Sequence, residues 1–224
     1  MKRSIELVGL VLLSVAPTSS WAGATAYPSM APIARYDIAD RAAEIALARS
    51  AAPASISGKA KILVLGNRGY ETAVEGGNGF VCLVERSWDM GFDNAEFWNP
   101  KVRSPQCFNA AGARSVLPVY LERTRWVLAG ESIARMRASA KSKKRLIPEP
   151  GSVCYMMSRQ AYLNDSIAGP WYSHVMFFGL AKPDDWGANL PGSPMAADAA
   201  AYAPVTIFMV VVQRWSDGTP NRSM

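Results

Sequence analysis

Residues 206–214 set the strictest condition on what this chain can fold into. In an extended backbone, Ile207, Met209 and Val211 line one side, and Phe208, Val210 and Val212 line the other. A strand that is apolar on both faces predicts a central place in a sheet, with cover above and below. Val153 to Ser158 and His174 to Leu180 have the same strand-like character.

Helices must supply that cover. Ile38, Ala42, Ile45 and Ala46 recur at helical spacing and predict a helix from Ile38 to Arg49, with Asp37 as its cap. A second helical region runs from Ser115 to Arg145. Pro118 is tolerable only in its first turn, Gly130 divides it in two, and Pro148 and Pro150 stop it. Lys61 to Leu65, Thr72 to Glu75 and Phe80 to Glu85 read as three strands. The Asn-Gly in Gly76-Gly77-Asn78-Gly79 predicts a hairpin, and so an antiparallel meander. Lys182 to Ala203 reads as a Gly- and Pro-rich connection. The sum is an α+β fold, a mostly antiparallel sheet with helices packed on it, in a single domain.

The N-terminus carries an export pattern. Lys2 and Arg3 precede the apolar stretch Leu7 to Ala16, and Ser20-Trp21-Ala22 offers small residues for cleavage. The apolar stretch is about 10 residues, whereas a membrane-crossing helix needs roughly 20. Residues 1–22 are therefore expected to be a signal peptide, with cleavage after Ala22, Ala24 or Ala26. Residues 23–224 are the mature domain, and 23–36 its flexible tail. Val205 to Val212 is too short to span a bilayer, so no transmembrane segment is expected in the mature chain. The expected location is exported, periplasmic or secreted.

Export brings an oxidising environment, in which Cys82, Cys107 and Cys154 should yield one disulfide and one thiol. Cys107 follows an irregular stretch containing Pro100 and Pro105 that can bend to meet a strand, which favours pairing with Cys82. Cys154 sits in an apolar strand, where a free cysteine behaves as a small hydrophobe. Pairings through Cys154 remain the alternatives.

Candidate sites are few. Trp88, Phe92, Phe97 and Trp98 alternate with Asp89, Asp93 and Glu96, a combination able either to stack on a sugar ring or to bury its own aromatics. Trp88, Trp98, Trp171, His174 and Arg214 are the ligand-binding candidates. His174, the only histidine, could act as a general base, with Glu85 and Arg86 as neighbours at strand ends. Arg135, Arg137, Lys141, Lys143, Lys144 and Arg145 could meet anionic lipid, although cations also suit a helix C-terminus. No hydrolase elbow, zinc-protease motif or phosphate loop is present, and neither metal nor cofactor is expected. The net charge of +6 suits anionic neighbours but more often serves simple solubility, and the compartment argues against nucleic acid.

The blocks Gly79-Phe80-Val81-Cys82-Leu83-Val84-Glu85-Arg86, Ser104-Pro105-Gln106-Cys107-Phe108-Asn109 and His174-Val175-Met176-Phe177-Phe178 resemble those of uncharacterised bacterial exported proteins. The resemblance implies a bacterial envelope location and adds support for Cys82 with Cys107. It implies no activity.

The expectation is a non-catalytic binding protein for a small molecule or an envelope component such as a glycan or anionic lipid. The alternatives are an envelope hydrolase using His174 as general base, and a structural or interaction protein.

Overall fold

The computed structural model describes residues 26–142, 147–198 and 205–221. The leader at 1–22, and Lys143, Lys144 and Arg145 of the basic cluster, lie outside the described residues. Eight strands form one mixed, mostly antiparallel sheet. They are β1 (Lys61–Gly66), β2 (Gly69–Val74), β3 (Val81–Glu85), β4 (Ser104–Phe108), β5 (Val153–Met156), β6 (His174–Gly179), β7 (Met195–Asp198) and β8 (Thr206–Val211), in the spatial order β2-β1-β3-β4-β5-β6-β8-β7. The helices are α1 (Arg41–Arg49), α2 (Ala54–Ser57), α3 (Ala110–Ser115), α4 (Leu117–Leu128) and α5 (Ile133–Ser142). The result is a single α+β domain.

The first helix starts later than its apolar spacing suggests. Asp40, not Asp37, is the cap, and its carboxylate accepts from the Ala42 amide at 2.8 Å. In α4, Pro118 occupies the first turn, where its missing N–H costs nothing. The helix ends just before Gly130, whose φ of +74° suits the left-handed conformation that closes helices.

The expected meander is corrected by the structure. β1 and β2 pair antiparallel, but β3 lies on the other side of β1 and runs parallel to it. The reason is steric and local. After β2 the chain crosses the start of β1, and the Gly77 amide donates to the Lys59 carbonyl at 2.9 Å. A Cβ at Gly76 would fall 2.1 Å from the Lys61 nitrogen, so only glycine permits that crossing. Asn78 makes no hairpin there. It donates to the Ile56 carbonyl at 2.8 Å and accepts from the Phe80 amide.

Two strands lie where irregular chain was expected. β4 is central despite Pro105. Its partner β5 pairs only with Cys107 and Phe108, so Pro105 owes no ladder bond on that side. β7 sits within the Gly- and Pro-rich connection. β8 does lie between two strands, but its residues from Ile207 to Val211 are only half-buried, so the expected double cover is incomplete.

Cys82 and Cys107 face each other across β3 and β4 and form the disulfide, while Cys154 is free and buried. The bond lies in the core on the α1 side of the sheet, with Ala48, Ala51, Ile62 and Val84. Leu83, Phe108, Cys154, Met176 and Phe178 pack on the other side against Leu117 and Tyr120 of α4. A third cluster joins Tyr36, Trp88, Phe97, Trp98, Val127 and Met136. Residues 26–36, expected as a tail, lie against the body: Tyr36 is fully buried and the Tyr27 hydroxyl donates to Asp165 at 2.6 Å. Among the described residues no helix is long and apolar enough to cross a membrane.

Candidate functional site

Glu85 and Arg86 are consecutive at the end of β3, so their side chains leave the sheet on opposite faces. Arg86 turns toward α1. It donates to Glu44 at 2.8 Å, to the Tyr36 carbonyl at 2.7 Å, and to the Val84 carbonyl. Glu85 turns the other way and accepts from the Gln106 amide at 2.9 Å. The sheet therefore keeps these two groups out of a common pocket.

The tryptophans of the loop after β3 are committed inward. Trp88 is 1% exposed, and its indole N–H donates to Thr124 at 3.0 Å. Trp98 packs edge-on to Phe97, with centroids 4.6 Å apart. Arg123 closes over them: its Nη1 donates to the carbonyls of Trp88, Asp89 and Met90, and its guanidinium lies 4.4 Å from the Phe92 ring centre. No face of Trp88 is left for a ligand to stack upon. Arg214 is exposed and holds the Gly218 carbonyl at 2.8 Å, which shapes the C-terminal turn.

His174 opens β6 opposite Met156. Its Nδ1 lies 2.6 Å from the Tyr172 carbonyl. A carbonyl only accepts, so this nitrogen carries the proton and Nε2 keeps its lone pair. Burial lowers the imidazole's pKa, which favours this neutral form. The Trp171 ring stands edge-on, 4.9 Å away. Beside His174 is a cavity of about 10 Å³, room for one water, walled by Pro105, Met156, Ser158, Trp171 and Trp215.

Ser158 also belongs to a second, larger space. Ser50, Ser158, Arg159, Gln160, Ser216 and Asp217 line a cleft of about 330 Å³. Backbone bonds join its three segments: Met157 donates to the Ala51 carbonyl, and Ser216 to the Met157 carbonyl, both at 2.9 Å. The Ser50 and Ser158 hydroxyls are 2.6 Å apart, and Arg159 lies 3.7 Å from Asp217. Hydrogen bonds from the Thr219 hydroxyl and amide hold the Asp217 carboxyl below its ordinary value.

No known protein family, curated protein or solved structure matches this chain.

The cleft residues were not among the sequence candidates. Each of its segments reads alone as an ordinary polar turn, and nothing linear links Ser50 to a serine 108 positions later. Of the candidates, only His174 and Trp171 lie beside it, through the small cavity that shares Ser158. Among the described residues, no three His, Cys, Asp or Glu side chains are grouped to hold a metal ion.

Proposed function

We propose that this chain is an exported, non-catalytic binding protein that holds a small hydroxylated molecule of carbohydrate type in the Ser50–Ser158–Asp217 cleft. The observation that carries the reading is the lining of that cleft: three hydroxyls, an amide, and one guanidinium with one carboxylate. The two charges cancel, so the site suits a neutral ligand. The Ser50 and Ser158 protons are spent on the Leu47 carbonyl and on Ser50, so the Ser216 hydroxyl, the Gln160 amide and the ion pair supply the donors and acceptors that a sugar meets. Its volume falls at the low end of small-molecule sites.

Binding is favoured over hydrolysis because the candidate catalytic groups do not converge. Glu85 and Arg86 sit on opposite faces, and His174 has room for one water beside it. An anionic lipid is less favoured, since Arg135 and Arg137 of the basic cluster are already paired with Glu131 and Asp93. Export is supported by the leader pattern and by a disulfide, which persists where thiols oxidise.

Calorimetric titration with glucose, N-acetylglucosamine and glucuronate tests the reading. Saturable binding of a neutral sugar, weakened at least tenfold by R159A or D217N, is expected. Absence of saturable binding by all three, or binding indifferent to both variants, overturns it.

A further inference from the structure

A second group of polar side chains, separate from the cleft, lies under α4. Glu85 ends β3, and Asp89 closes the short 3₁₀ turn Ser87–Asp89 that follows it. The Gln106 amide nitrogen lies 2.9 Å from Oε2 of Glu85 and 3.2 Å from Oδ2 of Asp89. Its orientation is set from behind, because the Cys154 thiol donates to Gln106 Oε1 at 3.4 Å. One amide thus serves two acids with one oxygen of each.

The other two oxygens are the informative ones. Glu85 Oε1 and Asp89 Oδ1 are sealed from solvent and have no partner if both acids are ionised. The surrounding elements offer no substitute. From α4, Arg123 spends Nη1 on three backbone carbonyls, and its Nε meets no acceptor. From β2, the Tyr70 hydroxyl is bonded to the Val84 carbonyl at 2.6 Å. From β4 come Gln106 and Ser104, and from β5 the Cys154 thiol, already used. Glu44 and Arg86 bond each other toward α1. Leaving two buried carboxylate oxygens unsatisfied is costly, and burial outweighs the Arg123 charge and the Asp89 and Met90 amides, which favour the ionised form of Asp89.

We infer that Glu85 and Asp89 hold one proton between them at ordinary pH, forming a buried acid pair whose ionisation controls how the Ser87–Asp89 turn seats beneath α4. The two carboxyl groups lie side by side as hydrogen-bond partners, so one shared proton gives the pair an O–H donor on one acid and an acceptor on the other. Burial, and next the Asp89 carboxylate beside it, push the Glu85 carboxyl well above the usual range. Burial raises Asp89 too. The folded chain therefore keeps a proton that the unfolded chain has released. Stability from the pair is complete below the ordinary carboxylate pKa and is lost as pH rises through the folded value. Once both acids are charged, repulsion falls on the turn that carries Trp88.

Infrared spectroscopy and thermal unfolding of the intact protein test this. At neutral pH the wild type should show the carbonyl band of an un-ionised carboxyl, and E85Q should lack it. The wild-type Tm should fall by about 3–5 °C per pH unit between the ordinary carboxylate pKa and the folded one, flattening once the pair ionises, and E85Q should remove that slope. Gln can donate to Asp89 and accept from Gln106 without a proton. A wild type without the band at neutral pH overturns the inference, as does a band that persists in E85Q. If E85Q does not fold, D89N provides the same comparison, and the wild-type band decides alone.

Discussion

Arg86 and Glu44 form an ion pair 2.8 Å long between β3 and α1, with 0% and 4% of their side chains exposed. The guanidinium is completed by the Tyr36 and Val84 carbonyls, and the Glu44 carboxylate also accepts from the Leu65 amide at 3.2 Å. The pair thus ties α1, β1, β3 and the segment before α1 to one point.

Removing one member should be far worse than removing both. E44A leaves a buried cation without its partner, a loss of about 3–5 kcal/mol. Urea unfolding should show this, with the E44L/R86M double variant clearly less destabilised than the sum of the single changes.

The crossing over β1 gives a contrast between neighbouring glycines. A side chain at Gly76 meets the Lys61 backbone at 2.1 Å, whereas nothing lies within 4 Å of one at Gly77. G76A should cost more than about 2 kcal/mol and G77A under about 1 kcal/mol. Equal denaturation midpoints for the two would mean that the chain takes another path.

Thiol chemistry should report the two sides of the sheet. The disulfide faces α1, and Cys154 lies in the opposite core. One thiol per chain should react, and only after unfolding, because burial also raises the Cys154 pKa and so disfavours the thiolate. Reducing the bond, which closes a separation of 25 residues, should cost about 3.5 kcal/mol in denaturant unfolding.

His174 should make acid destabilising. Its folded pKa lies below the ordinary 6.5, so its contribution is complete above that pH and is lost as pH falls toward the folded value. The slope is at most about 1.4 kcal/mol per pH unit. As the only histidine, it gives a single imidazole resonance, which should titrate below 6.5. A midpoint above 6.5 would contradict the burial argument.

Apolar spacing made much of this fold legible. Met176 and Phe178 do face the core from β6, and Cys82 does bond Cys107. What escaped the sequence was set by tertiary circumstance. The parallel pairing of β1 with β3 depends on the clearance at Gly76, which periodicity does not encode. Pro105 disguised β4, since its tolerance follows from how little of β4 the next strand pairs with. The cleft was illegible for a related reason: Ser50, Ser158 and Ser216 come together through long-range backbone bonds at Met157 and a Ser50–Ser158 hydroxyl contact.

The helices lie chiefly over β1 to β5: α1 on β1, β3 and β4, α3 on β4 and β5, and α4 on β2. The wing formed by β6, β8 and β7 keeps half-buried residues along β8, and Phe177 is 40% exposed. Less packing resists local opening there, so amide hydrogens of β7 and β8 should exchange with solvent earlier than those of β3 and β4. The molecule breathes from one side, with the cystine-pinned strands as its slow-exchanging keel.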